Sequence, residues 1–82
     1  MRAHDALRKA FIKFNVPADP YSLMELESFV ISSRNKNKNN SNYLSLISNL
    51  EAILIRQEIE NANQISKKIA DYVLDLCKDG CS

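Results

Sequence analysis

Residues that interrupt regular structure are scarce in this chain, and this scarcity limits its fold more than any other feature. The 82 residues include one glycine and two prolines, and both prolines lie within the short segment "NVPADPY". Hairpins and tight turns depend on such residues, so the sequence leaves little room for a sheet. The abundant Leu, Ile, Ala, Lys and Glu residues are typical of helical proteins. The sequence therefore predicts an all-α fold in one small domain.

Apolar residues recur at steps of three and four in several segments, which is the pattern of amphipathic helices. It predicts helices at about residues 3–14, 22–33, 43–58 and 62–78, separated in the middle by a loop at 34–42. Ser22 and Glu25 have the spacing of a capping box at the start of the second helix. The expected architecture is a small bundle of three to four helices.

The helix count depends on a change of phase near residue 60. The stripe that contains Leu50 and Leu54 continues onto polar residues, and a second apolar stripe begins in a new phase at residue 62. One interpretation is a single bent helix over residues 43–77. The other is two helices with a joint at residues 60–63, where Asn61 and Gln64 resemble a second capping box. The joint is favoured because a helix of that length is far above the usual mean.

Catalytic and metal-binding patterns are missing from the sequence. A nucleophile needs a neighbouring base, and the only histidine is His4, close to the chain start. Cys77 and Cys81 provide too few ligands for a structural zinc site. Asp71 and Asp75 share a helix face, but that face is opposite the apolar stripe, so we expect a solvated flank. The sequence predicts a non-enzyme without a cofactor, a metal or a small-molecule substrate.

The segment "RNKNKNNSN" at residues 34–42 carries three positive charges, Arg34, Lys36 and Lys38, and no acid. Such a cluster is a possible nucleic-acid contact. However, the formal net charge of the chain is only +1, and no aromatic residue within the segment could stack on a base. Asparagine also favours non-helical backbone. A solvated loop is therefore the favoured interpretation, and nucleic-acid contact remains open.

The C-terminal half carries more large apolar side chains than its two main stripes use. A helix that is apolar on more than one side needs a partner beyond its own core. We therefore predict a homodimer through the C-terminal helices, or contact with another protein. The predicted partner interface consists of Leu44, Ile47, Leu54, Ile55, Ile59, Ile69, Tyr72 and Val73.

No run of residues approaches the roughly 20 apolar positions that a membrane span requires. The N-terminal segment "MRAHDALRKAFIKFNV" alternates charged and apolar residues, unlike the continuous apolar core of a signal peptide. We therefore expect a cytoplasmic protein without a membrane span.

Two segments, "NNSNYLSLISNLE" (39–51) and "ISKKIADYVLDL" (65–76), resemble the small bacterial biofilm and acid-resistance regulators of the YmgB/AriR type, the two-component-system connector proteins. The acidic "LMELESFV" segment, the Leu50–Glu51 pair and the basic Lys67–Lys68 pair contribute to the likeness. The chain departs from that pattern by roughly four extra residues before the last helix and by its Asn-rich loop. The resemblance implies a cytoplasmic all-helical dimer without catalysis, acting on a signalling protein or on transcription in biofilm or stress regulation. Direct DNA binding has been proposed for such proteins.

Two other classes of protein also fit the pattern. A bacteriocin immunity-like protein would be a four-helix bundle, which requires the joint near residue 60 to be real. A secretion chaperone or antitoxin-like protein would use an exposed apolar stripe to hold a partner helix.

Overall fold

The computed structural model describes residues 1–33 and 41–80, and every regular element within these ranges is an α-helix. The helices are α1 (Ala3–Lys13), α2 (Pro20–Ser32), α3 (Ser41–Arg56) and α4 (Ala62–Leu76). The all-α prediction is confirmed. The C-terminal half forms two helices, which is the alternative with a joint near residue 60. Across both described ranges, no helix has the length and apolar character needed to cross a bilayer.

The four helices pack in a closed ring in which each contacts its neighbours in sequence, and α4 returns to α1. Tyr43 at the start of α3 bonds Asp71 late in α4, whereas Glu51 later in α3 bonds Asn63 at the start of α4. These two contacts show that α3 and α4 are antiparallel. The side chain of Gln57 donates a 3.2 Å hydrogen bond to the Pro17 carbonyl, which links the end of α3 to the loop between α1 and α2.

The core lies inside this ring and is built from one apolar stripe of each helix. Its largest fully buried apolar side chains include Leu7, Phe11, Leu26, Val30, Leu46, Leu50, Leu54, Ile69, Val73 and Leu74. These are largely the stripes that the sequence spacing indicates. A single chain therefore covers most of its own aliphatic surface, and burial of that surface supplies the main driving force for folding.

The end of α3 explains the change of phase seen in the sequence. Glu58 has a left-handed backbone with φ of 59°. The amide of Ile59 donates to the Leu54 carbonyl at 3.0 Å, and the amide of Glu58 donates to the Ile55 carbonyl at 3.0 Å. This pair of bonds is a Schellman motif, which ends a helix and turns the next apolar residue back onto it. The same motif ends α1, with Asn15 in the left-handed position.

The start of α2 differs from the prediction. Pro20 is the first helical residue and Asp19 occupies the N-cap position. Ser22 is buried inside the first turn, and its hydroxyl donates to an Asp19 carboxylate oxygen at 3.1 Å. The predicted capping box of Ser22 and Glu25 is therefore wrong. Proline suits the first helical position because its fixed φ is already helical and its missing amide proton is not needed there.

The start of α4 also lacks the predicted cap. Asn61 precedes the helix with φ of 59° and makes no side-chain cap hydrogen bond, so the capping box of Asn61 and Gln64 is wrong as well. Inside the helix, the buried Ser66 hydroxyl donates to the Asn63 carbonyl at 2.8 Å. The left-handed residue at this position completes the reversal that the Schellman motif begins.

Candidate functional site: the outer face of α3 and α4

The structure divides the predicted partner interface into buried and exposed residues. Leu54, Ile69 and Val73 are each 0% exposed and lie in the core of the single chain. They have no surface left for a partner, so this part of the prediction is corrected. The error arises because apolar spacing identifies the apolar sides of a helix but not which of them faces its neighbours.

Two further residues of the predicted set, Ile59 and Tyr72, are half-buried and serve contacts within the chain. Ile59 packs against the core after the Schellman motif. The Tyr72 ring meets the Phe14 ring edge to face, with centroids 6.2 Å apart, and the Lys13 ammonium lies 5.2 Å from the Tyr72 centroid. Tyr72 therefore joins α4 to α1, and we remove both residues from the candidate interface.

The remaining three residues form a surface on α3. Leu44 is 53% exposed and Ile55 is 59% exposed, while Ile47 is half-buried between them. Positions 44, 47 and 55 recur on one side of the helix over three turns. We call Leu44, Ile47 and Ile55 the α3 patch.

A shallow open groove of about 270 Å³ lies where the α3 patch meets α4, lined by Tyr43, Leu44, Ile47, Lys67 and Asp71. The Tyr43 hydroxyl donates a 2.7 Å hydrogen bond to an Asp71 carboxylate oxygen across the groove. Asp71 is therefore not the purely solvated flank that its position in the sequence suggests. Burial, followed by the hydrogen bond to Asp71 and the negative charge of Asp71, raises the pKa of Tyr43 to about 12.

The outward side of α4 has a divided charge. Lys67 and Lys68 lie in its first half, and Asp71 and Asp75 lie in its second half. None of the four belongs to the buried stripe of α4. The face beside the α3 patch is therefore basic at one end and acidic at the other.

Other reactive groups lie apart from this groove. His4 Nδ1 is 3.2 Å from Glu27 Oε2, a contact that ties α1 to α2. Cys77 is buried at the end of α4, and Cys81 lies outside the described residues. Within residues 1–33 and 41–80, no group of three His, Cys, Asp or Glu side chains is placed to hold a metal ion.

The predicted nucleic-acid contact of Arg34, Lys36 and Lys38 falls in residues 34–40, outside the ranges that the structure describes. It stays a prediction.

A second exposed apolar surface, which was not predicted from the sequence, lies on α2. Tyr21 is 74% exposed, Met24 is 59% exposed and Ile31 is 37% exposed. Met24 follows Tyr21 by three residues and Ile31 follows Met24 by seven. This spacing places all three on one side of α2, away from the buried Leu23 and Leu26. The criterion that detects Leu44, apolar residues outside the main stripe, would also have found this surface.

Comparison of the chain with protein-family models, with curated proteins and with solved structures finds no match.

Proposed function

We propose that this chain is a non-enzymatic adaptor that regulates a target by protein–protein contact and acts as a homodimer paired through α3 and α4. The observation that carries the proposal is the exposure of Leu44 and Ile55 on one side of α3. Burial of apolar surface contributes about 25 cal/mol for each Å² removed from water. A complex in which a partner covers the α3 patch would therefore be stabilised by burial of side chains that the monomer leaves in solvent.

The divided charge of α4 argues for a second copy as the partner. In a twofold dimer, each surface contacts the same surface of the other chain. If two α4 helices lie antiparallel across the axis, Lys67 and Lys68 of one chain face Asp71 and Asp75 of the other, and the reverse pairing occurs at the same time. The apolar α3 patches then flank this charged centre.

The dimer should be weak, because the patch contains two exposed aliphatic side chains and one that is half-buried. Interfaces of small area belong to the transient class. A weak and concentration-dependent dimer also suits an adaptor, since its assembly can respond to the amount of chain present.

Sedimentation of the full chain over roughly 1–500 µM tests this dimer, a range that brackets micromolar dissociation constants. The parent chain should shift from monomer to dimer, and the double variant Leu44→Ser/Ile55→Ser should stay monomeric. Ile12→Ser is the matched control, because Ile12 is 66% exposed on α1, outside the proposed interface. Parent chain that stays monomeric at the highest concentration would refute the dimer.

The resemblance to connector proteins supports a signalling protein or a transcription factor in biofilm or stress regulation as the target. Cells that lack the chain and cells that carry only the Leu44→Ser/Ile55→Ser variant should show the same change in transcription. A normal transcription profile in the strain that carries only this variant would show that regulation does not depend on the α3 patch.

The second candidate is a bacteriocin immunity-like function, which the presence of four helices supports. It predicts that expression of the chain protects cells from a peptide toxin without changing transcription. A helix count alone is weaker support than an exposed patch, because one fold can carry many functions.

A further inference from the structure

The exposed apolar residues of α2 form a second surface, separate from the α3 patch. Tyr21, Met24 and Ile31 follow one side of the helix, and the residue between them on that side, Ser28, is small and exposed. At 1.5 Å per residue this line extends for about 15 Å, the length of roughly three helical turns. We call Tyr21, Met24 and Ile31 the α2 stripe.

The α2 stripe is not needed to pack α2 into the bundle, because α2 already buries a different apolar face in the core. Leu23, Leu26 and Val30 occupy that face. A helix that is apolar on two opposite sides normally has a neighbour on each. Within residues 1–33 and 41–80, α2 packs against α1 and α3 through its inner side only.

Acidic side chains border the α2 stripe. Asp19 precedes it, Glu25 lies on the side toward α3, where it lines a cleft with Arg56, and Glu27 lies on the side toward α1, where it contacts His4. Residues 17–33 contain no lysine or arginine. The apolar line is therefore flanked by carboxylates on both sides.

We propose that the α2 stripe binds an amphipathic helix of the target protein, whose apolar ridge is flanked by Lys and Arg. The apolar ridge covers Tyr21, Met24 and Ile31, and the basic flanks meet Glu25 and Glu27. A helix laid on an apolar stripe is a common mode of peptide recognition. Charge complementarity at the flanks selects a basic helix over an acidic one.

The same carboxylates disfavour two other occupants. A second copy of α2 would bring Glu25 and Glu27 against identical carboxylates, and like charges in contact are unfavourable. An anionic membrane surface would be repelled in the same way. The contrast with α4 is direct, because α4 carries both signs and can pair with itself.

A cleft at the N-terminal end of the stripe provides a site for one basic side chain. It measures about 360 Å³ and its lining includes Asp19, Tyr21, Glu25 and Arg56. The two carboxylates outnumber the single Arg56 guanidinium, and the exposed Tyr21 ring can hold a cation against its face. A Lys or Arg of the bound helix would fit here.

This binding site goes beyond the proposed dimer and is compatible with it. α2 and α4 occupy opposite corners of the ring, since each of them packs against α1 and α3. Pairing through α3 and α4 leaves both α2 stripes exposed. The dimer would then present two copies of the target site.

Titration of the full chain with two labelled helical peptides of about 18 residues tests this inference. Both peptides carry the same Leu ridge, one with Lys flanks and one with Glu flanks. In fluorescence anisotropy, the Lys peptide should bind at least about tenfold more tightly than the Glu peptide. Equal binding of both peptides, or no binding of the Lys peptide, overturns the inference.

Substitutions in the chain identify the surface that binds the Lys peptide. Met24→Ser/Ile31→Ser should weaken binding of the Lys peptide by about tenfold or more, and Glu25→Lys should weaken it and reduce its salt dependence. Leu44→Ser/Ile55→Ser should leave peptide binding unchanged while it abolishes the dimer. Unchanged affinity in the Met24→Ser/Ile31→Ser variant would overturn the α2 site. Because peptide binding and sedimentation respond to different variants, either proposal can fail without the other.

Discussion

At the scale of single residues, the same side chain has different roles according to its position on one helix. Leu44 and Leu54 both belong to α3, yet Leu44 is 53% exposed and Leu54 is 0% exposed. The cost of truncating an apolar side chain depends on the contacts that it leaves behind. This pair therefore separates residues that hold the fold together from residues that are available to a partner.

Leu54→Ala should lower the free energy of unfolding by about 2–5 kcal/mol, because it leaves a cavity in the core. Leu44→Ala should change it by less than about 0.5 kcal/mol, as is usual for a surface substitution. Urea unfolding at a protein concentration too low for dimerisation measures both values. Equal losses from the two variants would contradict the assigned burial.

Tyr43 gives a pH dependence at the residue scale. Its pKa is raised to about 12, by burial first and then by Asp71, whereas tyrosine in an unfolded chain titrates near pH 10. Because the folded pKa is the higher one, the contribution of Tyr43 to stability is complete below about pH 10 and is lost as the pH rises through about 12. Between these values, the free energy of unfolding should fall more steeply in the parent chain than in Tyr43→Phe.

Urea unfolding at pH steps from about 8 to about 12 measures this difference between the parent chain and Tyr43→Phe. At neutral pH, Tyr43→Phe should itself cost about 1 kcal/mol, since it removes one hydrogen bond while it keeps the buried ring. Asp71→Asn is the control, because it removes the charge but retains an oxygen that can accept the Tyr43 hydrogen. Parallel pH profiles of parent and Tyr43→Phe would contradict the raised pKa.

At the scale of the helices, the positions where they end are set by backbone conformation more than by breaking residues. Asn15 and Glu58 both adopt left-handed backbone and end α1 and α3 by the same motif. Asparagine tolerates this conformation well, whereas a glutamate there is strained. The two positions therefore predict different responses to glycine.

Glu58→Gly should raise the free energy of unfolding by about 1 kcal/mol, because glycine removes the strain of the left-handed conformation. Asn15→Gly should give a smaller gain. Thermal or urea unfolding measures both. Glu58→Ala is the control, since it removes the charge but keeps the strain, and an equal gain in that variant would show that charge and not backbone strain limits stability at this position.

At the scale of the whole molecule, the closed ring of helices gives each chain a core of its own. Dimerisation is therefore expected to add to a fold that exists without it, in contrast to obligate dimers that have no stable monomer. Variants that break the dimer should remain folded. This expectation allows the charges of α4 to be exchanged as a test of the twofold arrangement.

The acidic variant Lys67→Glu/Lys68→Glu and the basic variant Asp71→Lys/Asp75→Lys should each be monomeric, because like charges then face one another across the axis. Both should retain helical circular dichroism and a cooperative unfolding transition. A mixture of the two should form a heterodimer, since every charge again meets its opposite. Self-association of either variant at the strength of the parent chain would refute the antiparallel pairing of α4, and sedimentation measures each case.

Several elements of this structure could be read from the sequence. The spacing of Leu50, Leu54, Ile69 and Val73 predicted helices and their apolar stripes, because helix geometry is local and repeats every 3.6 residues. The phase change near residue 60 similarly indicated the joint between α3 and α4. The start of α2 at Pro20 was mispredicted, and so was the side-chain cap at Asn61. Capping patterns that lie within a few residues of one another are told apart only by the backbone conformation that forms.

The sequence by itself determined an all-α chain with amphipathic helices, because few residues that break helices interrupt its apolar periodicity. Tertiary structure alone decided that Leu54, Ile69 and Val73 lie inside while Leu44, Ile55 and the α2 stripe lie outside. The physical reason is that periodicity depends on neighbours along the chain, whereas burial depends on helices that are distant in sequence. Which apolar face remains available to a partner is fixed only when the four helices have closed their ring.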